Sequence, residues 1–215
     1  SMISPTIFGA VFESTLNPQT RRNGGMHYTS IENIHKVIDP LFLDELKEEF
    51  TQIKSIKKSR KLKLEEFQNK LASLTFLDPA CGSGNFLTET YLSLRRLENE
   101  VLKELLQTEG KGSTLAGLIT DIHQYNLIKV SISQFYGIEI NDFAVNVAKT
   151  ALWIAENQMM KETENIIHMD LDFLPLKTNA YIVEGNALRM NWQDIIAKEK
   201  LNYITLPANA NWHFG

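Results

Sequence analysis

The chain has 215 residues, 43% of them hydrophobic and 22% charged, which fits one ordinary globular domain with room for an appendage and excludes a disordered chain. Its 22 basic and 26 acidic side chains leave a net charge of −4, so the surface as a whole is not built to bind a polyanion, although a local nucleic-acid face stays open. Cys81 is the lone cysteine, which excludes an internal disulfide and leads us to expect a reducing, cytoplasmic setting; no apolar run nears the roughly 20 residues that cross a bilayer, so no membrane partner is expected.

Residues 2–70 read as a helical N-terminal segment. Ser1 ahead of Met2 resembles the scar of a cleaved tag and is set aside. Thr29 and Ser30 are candidate N-caps, with Glu32 where a capping box would place it. Pro40 interrupts the helical pattern, which resumes through Leu41, Leu43, Leu46 and Phe50. Residues 54–63 carry six basic side chains, Lys54, Lys57, Lys58, Arg60, Lys61 and Lys63. A solvated helix face explains them, and so does a phosphate-facing patch.

Residues 71–204 alternate strand and helix. Leu74–Leu77 is an apolar strand ending in a glycine turn. Phe86, Leu87, Tyr91, Leu94, Leu97, Val101 and Leu105 then mark one face of a long helix, which Gly110 to Ser113 should break. The stretch of about 108–134 is long for a connection and reads as an insertion. Phe135–Ile140 is a second strand, and Asn141 or Asp142 should cap a helix buried through Ala144, Val147, Ala148, Ala151, Leu152 and Ala155. Tyr181–Val183 is a third strand and Leu201–Ile204 a fourth, followed by an irregular tail over 205–215. The β-α-β-α-β order predicts an α/β, Rossmann-like, doubly wound parallel sheet that binds ligands at the carboxyl ends of its strands.

Three strand ends carry candidate chemistry. In Asp78-Pro-Ala-Cys-Gly-Ser-Gly-Asn85, Gly82 and Gly84 let backbone N–H groups approach a ligand, although a plain tight turn would use the same glycines. Leu87 stands where a pyrophosphate-binding Gly-x-Gly-x-x-Gly turn needs its third small residue, and Asp78 would repel a phosphate. A carboxylate there suits an ammonium group, such as that of the methionine part of S-adenosylmethionine (SAM). Glu139 stands where a ribose diol would be gripped, with Ile140 beside it able to lie on an adenine ring; a helix-capping glutamate is the plainer reading. Asn186, at the third strand end, offers an amide that both donates to and accepts from an adenine edge, as a simple turn asparagine also could. Cys81 lies inside the glycine turn and follows Ala80, so it reads as a small packing residue rather than a nucleophile.

With those residues in place, Asp78–Leu87 resembles the SAM-binding motif of adenine-N6 class DNA methyltransferases. The whole chain is similar to the methyltransferase region of large single-chain restriction–modification enzymes of the type IIG/IIL kind. Gly25-Met-His-Tyr-Thr-Ser30, Phe135–Asn141, Leu152–Ala155 and Gly185–Arg189 extend the resemblance, in the family's order, over about residues 20–195. It implies a class I SAM-dependent methyltransferase fold and a set of cofactor-binding residues. His27, Tyr28 and Thr29 would close over the methionine end of SAM. Asp78, Ala80, Gly82, Gly84, Asn85 and Phe86 would form the loop beneath the amino acid and ribose. Glu139 and Ile140 would hold ribose and adenine, while Asn186, where many relatives carry Asp, and Ala187 would meet the adenine edge.

The family's Asn/Asp-Pro-Pro-Phe/Tyr motif is missing: Asn17-Pro18 is followed by Gln19, and no Pro-Pro pair occurs. The expectation is therefore a truncated piece with no catalytic residues and no metal, which binds SAM but does not transfer methyl groups alone. Double-stranded DNA would be the partner of the full-length parent, which carries target recognition elsewhere and allows a nuclease in the same chain. Methylation of RNA or protein amines, or a non-catalytic SAM-fold subunit, are the competing readings; a nicotinamide oxidoreductase is more distant.

Overall fold

A computed structural model describes residues 29–108, 127–168 and 179–205, with isolated positions at 5, 8 and 11. Helix α1 spans Ile31–Ile38; a wide π turn at Asp39–Leu43 leads directly into α2, Asp44–Ser55. Ser30 caps α1, its Oγ accepting from the Asn33 N–H at 3.3 Å. The capping box expected of Glu32 does not form: with Ser30 as the cap, Asn33 holds the third helical position and Glu32 the second, where it pairs with Lys36 at 3.1 Å. Pro40 explains the π turn: its ring lacks an N–H and crowds the carbonyl four residues back, so the next bond skips one residue and the Asp44 N–H donates to Asp39. The chain therefore widens at Pro40 instead of breaking.

Helix α3, Arg60–Ser73, precedes strand β1, Phe76–Asp78, which starts two residues later than the pattern predicts. Helix α4, Asn85–Thr108, follows the glycine turn. Strand β2, Phe135–Glu139, helix α5, Asp142–Ile167, strand β3, Tyr181–Glu184, and strand β4, Tyr203–Ile204, complete the described elements. Asn141 caps α5 as expected, its Oδ1 accepting from Phe143 and Ala144 at 3.0 and 3.1 Å. The expected break at Gly110 to Ser113 and the tail beyond Thr205 lie outside the described residues.

All strand pairs are parallel, in the order β3-β2-β1-β4. Chain order reverses at β1, which has β2 on one side and β4 on the other; this is the switch point where a doubly wound sheet opens a crevice. Strand alternation sorts the side chains. Phe76, Phe135 and Ile182 enter the large core beneath α1–α5, while Leu77 and Ile138 enter a smaller one covered by Ile196, Trp192 and Met190. Across the larger face the rings of Tyr203, Phe76 and Phe135 stack at 5.3 and 5.2 Å, as the register places them. The same alternation turns Asp78 and Glu139, each two residues beyond a core phenylalanine or glycine, toward the side on which α4 begins. Gln134 ties α3 to β2 by donating to the carbonyls of Leu71 and Leu74 at 2.9 and 2.7 Å.

The basic run at 54–63 stays at the surface, where Lys54, Lys57, Lys58, Lys61 and Lys63 are exposed and Arg60 is half-buried. Arg60 pairs with Glu104, Lys63 pairs with Glu66 at 2.6 Å, and Lys54 lies 4.9 Å from the centre of the Phe50 ring. The solvated-face reading accounts for these three. Among the described residues no helix is long and apolar enough to cross a membrane.

Candidate methyl-donor site

The glycine turn is held between two strand ends. The Cys81 N–H donates to the Ile138 carbonyl at 3.1 Å, and the Gly84 N–H closes the turn on the Cys81 carbonyl at 2.8 Å. Gly82 and Gly84 have φ of +54° and +78°, a region that side-chain-bearing residues avoid. Their surroundings differ. A Cβ on Gly84 would stand 2.8 Å from Ala148 Cβ on α5, whereas one on Gly82 would meet nothing within 4 Å. Gly84 is therefore a packing glycine, and Gly82 faces open space above the turn. Gly137, which the sequence reading passed over, is required as well: a Cβ there would lie 2.9 Å from Cys81 Sγ and 3.2 Å from Leu87 Cδ1. Leu87, buried against β2, thus fills the place a dinucleotide fold leaves to a small residue.

Two carboxylates converge beneath this turn. Asp78, 5% exposed, accepts from the Ala80 N–H at 3.0 Å, and the described residues give it no cation. Burial, with the nearby Glu139, pushes its carboxyl up to about 7, against the opposing help of the Ala80 amide and the Thr205 side chain. Glu139, equally buried, bridges the two loops: Oε2 accepts from the Gly82 N–H and Oε1 from the Asn141 N–H, both at 2.9 Å. It caps its own helix entry and braces the glycine turn at once, and each oxygen keeps a further lone pair for a diol. Burial also pushes the Cys81 thiol well up, as expected of a packing residue.

Around this centre, Ile140 is 61% exposed and Phe143, the second residue of α5, is also more than half exposed, giving an apolar shelf beside Glu139. Asn186 and Ala187 follow β3, which is paired to β2, and the Gly185 N–H donates to the Glu139 carbonyl at 2.8 Å. The Asn186 Oδ1 accepts from the Leu188 N–H at 3.0 Å, so part of its hydrogen-bonding capacity shapes its own turn. Asn85 opens α4; its Oδ1 is buried without a hydrogen-bond partner, and so is the Thr88 hydroxyl one turn on. Phe86 is partly buried against the main core. The fold thus brings Asp78, Ala80, Gly82, Gly84, Asn85 and Glu139 around one turn, with Ile140 at its rim. Thr29 immediately precedes the cap of α1, while His27 and Tyr28 lie outside the described residues. Thr88 and Phe143 carry no signal in sequence, because their relevance depends on which way α4 and α5 leave the sheet. Among the described residues no cluster of metal-ligating side chains occurs.

A parallel sheet in this order, with a buried acidic residue closing each of two adjacent strands around a Gly-x-Gly turn, defines a Rossmann-like methyltransferase fold. The chain belongs to the MmeI DNA-methyltransferase domain family, whose model matches residues 53–209. It is 42% identical over 195 residues to DNA methyltransferase A of Bacillus subtilis (strain 168), covering 90% of this chain and 20% of that protein. It is 28% identical over 176 residues to a putative type II restriction enzyme and methyltransferase of Methanocaldococcus jannaschii, covering 71% of this chain and 14% of that one. The structure of the type IIL restriction–modification enzyme MmeI in complex with DNA is similar at a TM-score of 0.81 and 43% identity, over 95% of this chain and 26% of that one. The chain therefore spans between a seventh and about a quarter of the length of these relatives. It is a DNA-methyltransferase domain of the MmeI family.

Proposed function

We propose that this region binds SAM and serves methyl transfer to the exocyclic N6 of adenine in double-stranded DNA. The observation that carries the cofactor is Asp78: a carboxylate buried at a strand end, with no cation among the described residues, beside a glycine turn that opens onto free space. An ammonium group is the complement that site lacks. The remaining groups fit the rest of SAM: lone pairs on Glu139 for the ribose hydroxyls, the apolar Ile140 for an adenine face, the Asn186 amide for its edge, and the unpartnered Asn85 Oδ1 for a donor on the amino-acid end. Thr29, with His27 and Tyr28, closes that end in this reading.

SAM, when bound, supplies an electrophilic methyl group on a sulfonium. The chain's own residues bind and orient it. Asp78 holds the ammonium, Glu139 fixes the ribose through the same carboxylate that braces Gly82, and the first amides of α4 add a positive helix end beneath the amino-acid carboxylate. The target amine would be presented on a flipped-out base by an Asn/Asp-Pro-Pro-aromatic segment, which these 215 residues do not contain. We therefore propose that the chain holds the donor without transferring the methyl group. The adenine assignment is supported by the family resemblance of Asp78–Leu87 and by the DNA-methyltransferase relatives.

Titration calorimetry with SAM and, separately, with NAD tests this reading. SAM should bind and NAD should not, and Asp78→Ala and Glu139→Ala should each weaken SAM. Unchanged affinity in both variants refutes the pocket. Transfer of labelled methyl from SAM to DNA by this chain alone refutes its inactivity.

A further inference from the structure

Helix α1 meets the first turns of α4 through a histidine whose two ring nitrogens both face carboxylates. His35 Nδ1 lies 2.8 Å from Asp39 Oδ1 in the π turn, and Nε2 lies 3.2 Å from Glu89 Oε1 on α4. A neutral imidazole has one N–H and can donate to only one carboxylate, whereas the imidazolium donates to both. Glu89 is almost wholly buried and also accepts from Arg96 at 3.3 Å. Glu89 follows Asn85 by one helical turn and adjoins Thr88, so the contact sits on the stripe of α4 that carries the two unpartnered polar atoms at the pocket. At its other end α1 begins just after Thr29 and is capped by Ser30.

We propose that His35 is a positioning residue: its imidazolium, held by Asp39 and Glu89, fixes α1 on the first turns of α4, the helix whose first residue, Asn85, lies at the donor pocket. This rests on the SAM reading above. Burial alone would lower the ring's pKa, but its two carboxylate partners raise it above the ordinary histidine value. Among the described residues the other charged groups near it are Arg96 on α4 and, on α1 itself, Glu32 and Lys36, which pair with each other. A histidine raised on folding contributes its stabilisation fully below its ordinary pKa and loses it as pH rises through the raised value. The brace therefore holds below the ordinary histidine pKa and weakens as the pH rises through the raised one.

The test is titration of SAM into the full chain and into His35→Gln at about pH 6 and about pH 8.5. Both chains keep Asp78, so its own titration cancels in their ratio. His35→Gln should bind SAM about fivefold more weakly at the lower pH, and the gap should close at the higher one. Glu89→Gln should lose the same pH-dependent part, and the double variant no more than either single one. A ratio that does not change with pH, while Asp78→Asn still weakens SAM, overturns the role of His35 and leaves the pocket standing. If the unaltered chain takes no SAM, or Asp78→Asn changes nothing, the pocket falls and this role with it. Hydrogen exchange on the unaltered chain keeps the test open should a variant fail to fold. Protection of the α1 amides, corrected for intrinsic rate, should drop between the two pH values, and constant protection overturns the proposal.

Discussion

The β1–turn–α4 unit carries buried charge at two places, the middle of α4 and the end of β1, and the two are built in opposite ways. In the middle of α4, Arg95 and Glu98 are both fully buried and paired with each other, and only the Arg95 Nε lacks a partner. Glu98 accepts from Arg95, from Gln68 at 2.8 Å and from the Lys129 and Val130 N–H groups at 2.7 and 3.2 Å; Arg95 also donates to Thr163 at 2.9 Å. The cluster closes on itself and joins α3, α4, α5 and the approach to β2. Before the start of α4, Asp78 is also buried, but its partners are the Ala80 amide and the Thr205 hydroxyl, both neutral, and it faces a second carboxylate. A buried charge answered from within the fold is a structural joint; one left without its complement is a place for a ligand.

The contrast is broken most severely at the joint. Glu98→Ala leaves the Arg95 guanidinium buried and uncompensated and should cost about 3–5 kcal/mol in urea unfolding, with SAM affinity little changed while the chain stays folded. A loss below about 1 kcal/mol would show that water replaces the carboxylate.

Asp78→Asn should act in the other direction. The folded-state pKa of Asp78, about 7, lies above its unfolded value, so folding favours the protonated form. Its contribution to stability is thus fully present below about pH 4 and is lost as pH rises through about 7. Removing the charge should stabilise the chain by about 1–3 kcal/mol at pH 8 and leave stability nearly unchanged at pH 4, while SAM affinity at pH 8 falls about ten- to a hundredfold. Thermal unfolding against pH and calorimetry read the two effects separately. Equal destabilisation at both pH values would make Asp78 another structural joint.

The two turn glycines sharpen the same distinction on a smaller scale. Gly84→Ala should cost about 2 kcal/mol through its clash with Ala148. Gly82→Ala, with open space around it, should cost about 1 kcal/mol from its positive φ yet weaken SAM more than Gly84→Ala does. The reverse ranking in either measurement would contradict the assignment.

Much of the site was legible because it is local. The Asp78–Asn85 turn, Glu139 and Asn186 each end a strand, and period-2 alternation toward a strand end states which side chain meets the crevice. The α4 and α5 faces followed from their 3.6-residue spacing for the same reason. Pairings between residues far apart in the chain were not legible. His35 and Glu89 are 54 residues apart, and Arg95 and Thr163 are 68 apart; neither pair has a spacing that marks it. The Glu32 capping box was misread because the cap is Ser30 rather than Thr29, which moves Glu32 off the third helical position. The basic run 54–63 was ambiguous because Glu104, the partner of Arg60, lies on another helix.

The central claim is that Asp78 waits for a cation. Calorimetric titration of SAM at pH 7 in two buffers of different ionisation enthalpy tests it most directly. With Asp78 near half-protonated before binding, an arriving ammonium group should expel about half a proton per SAM, and Asp78→Asn should abolish that release. Binding with no proton release, or release that persists in Asp78→Asn, would contradict the account.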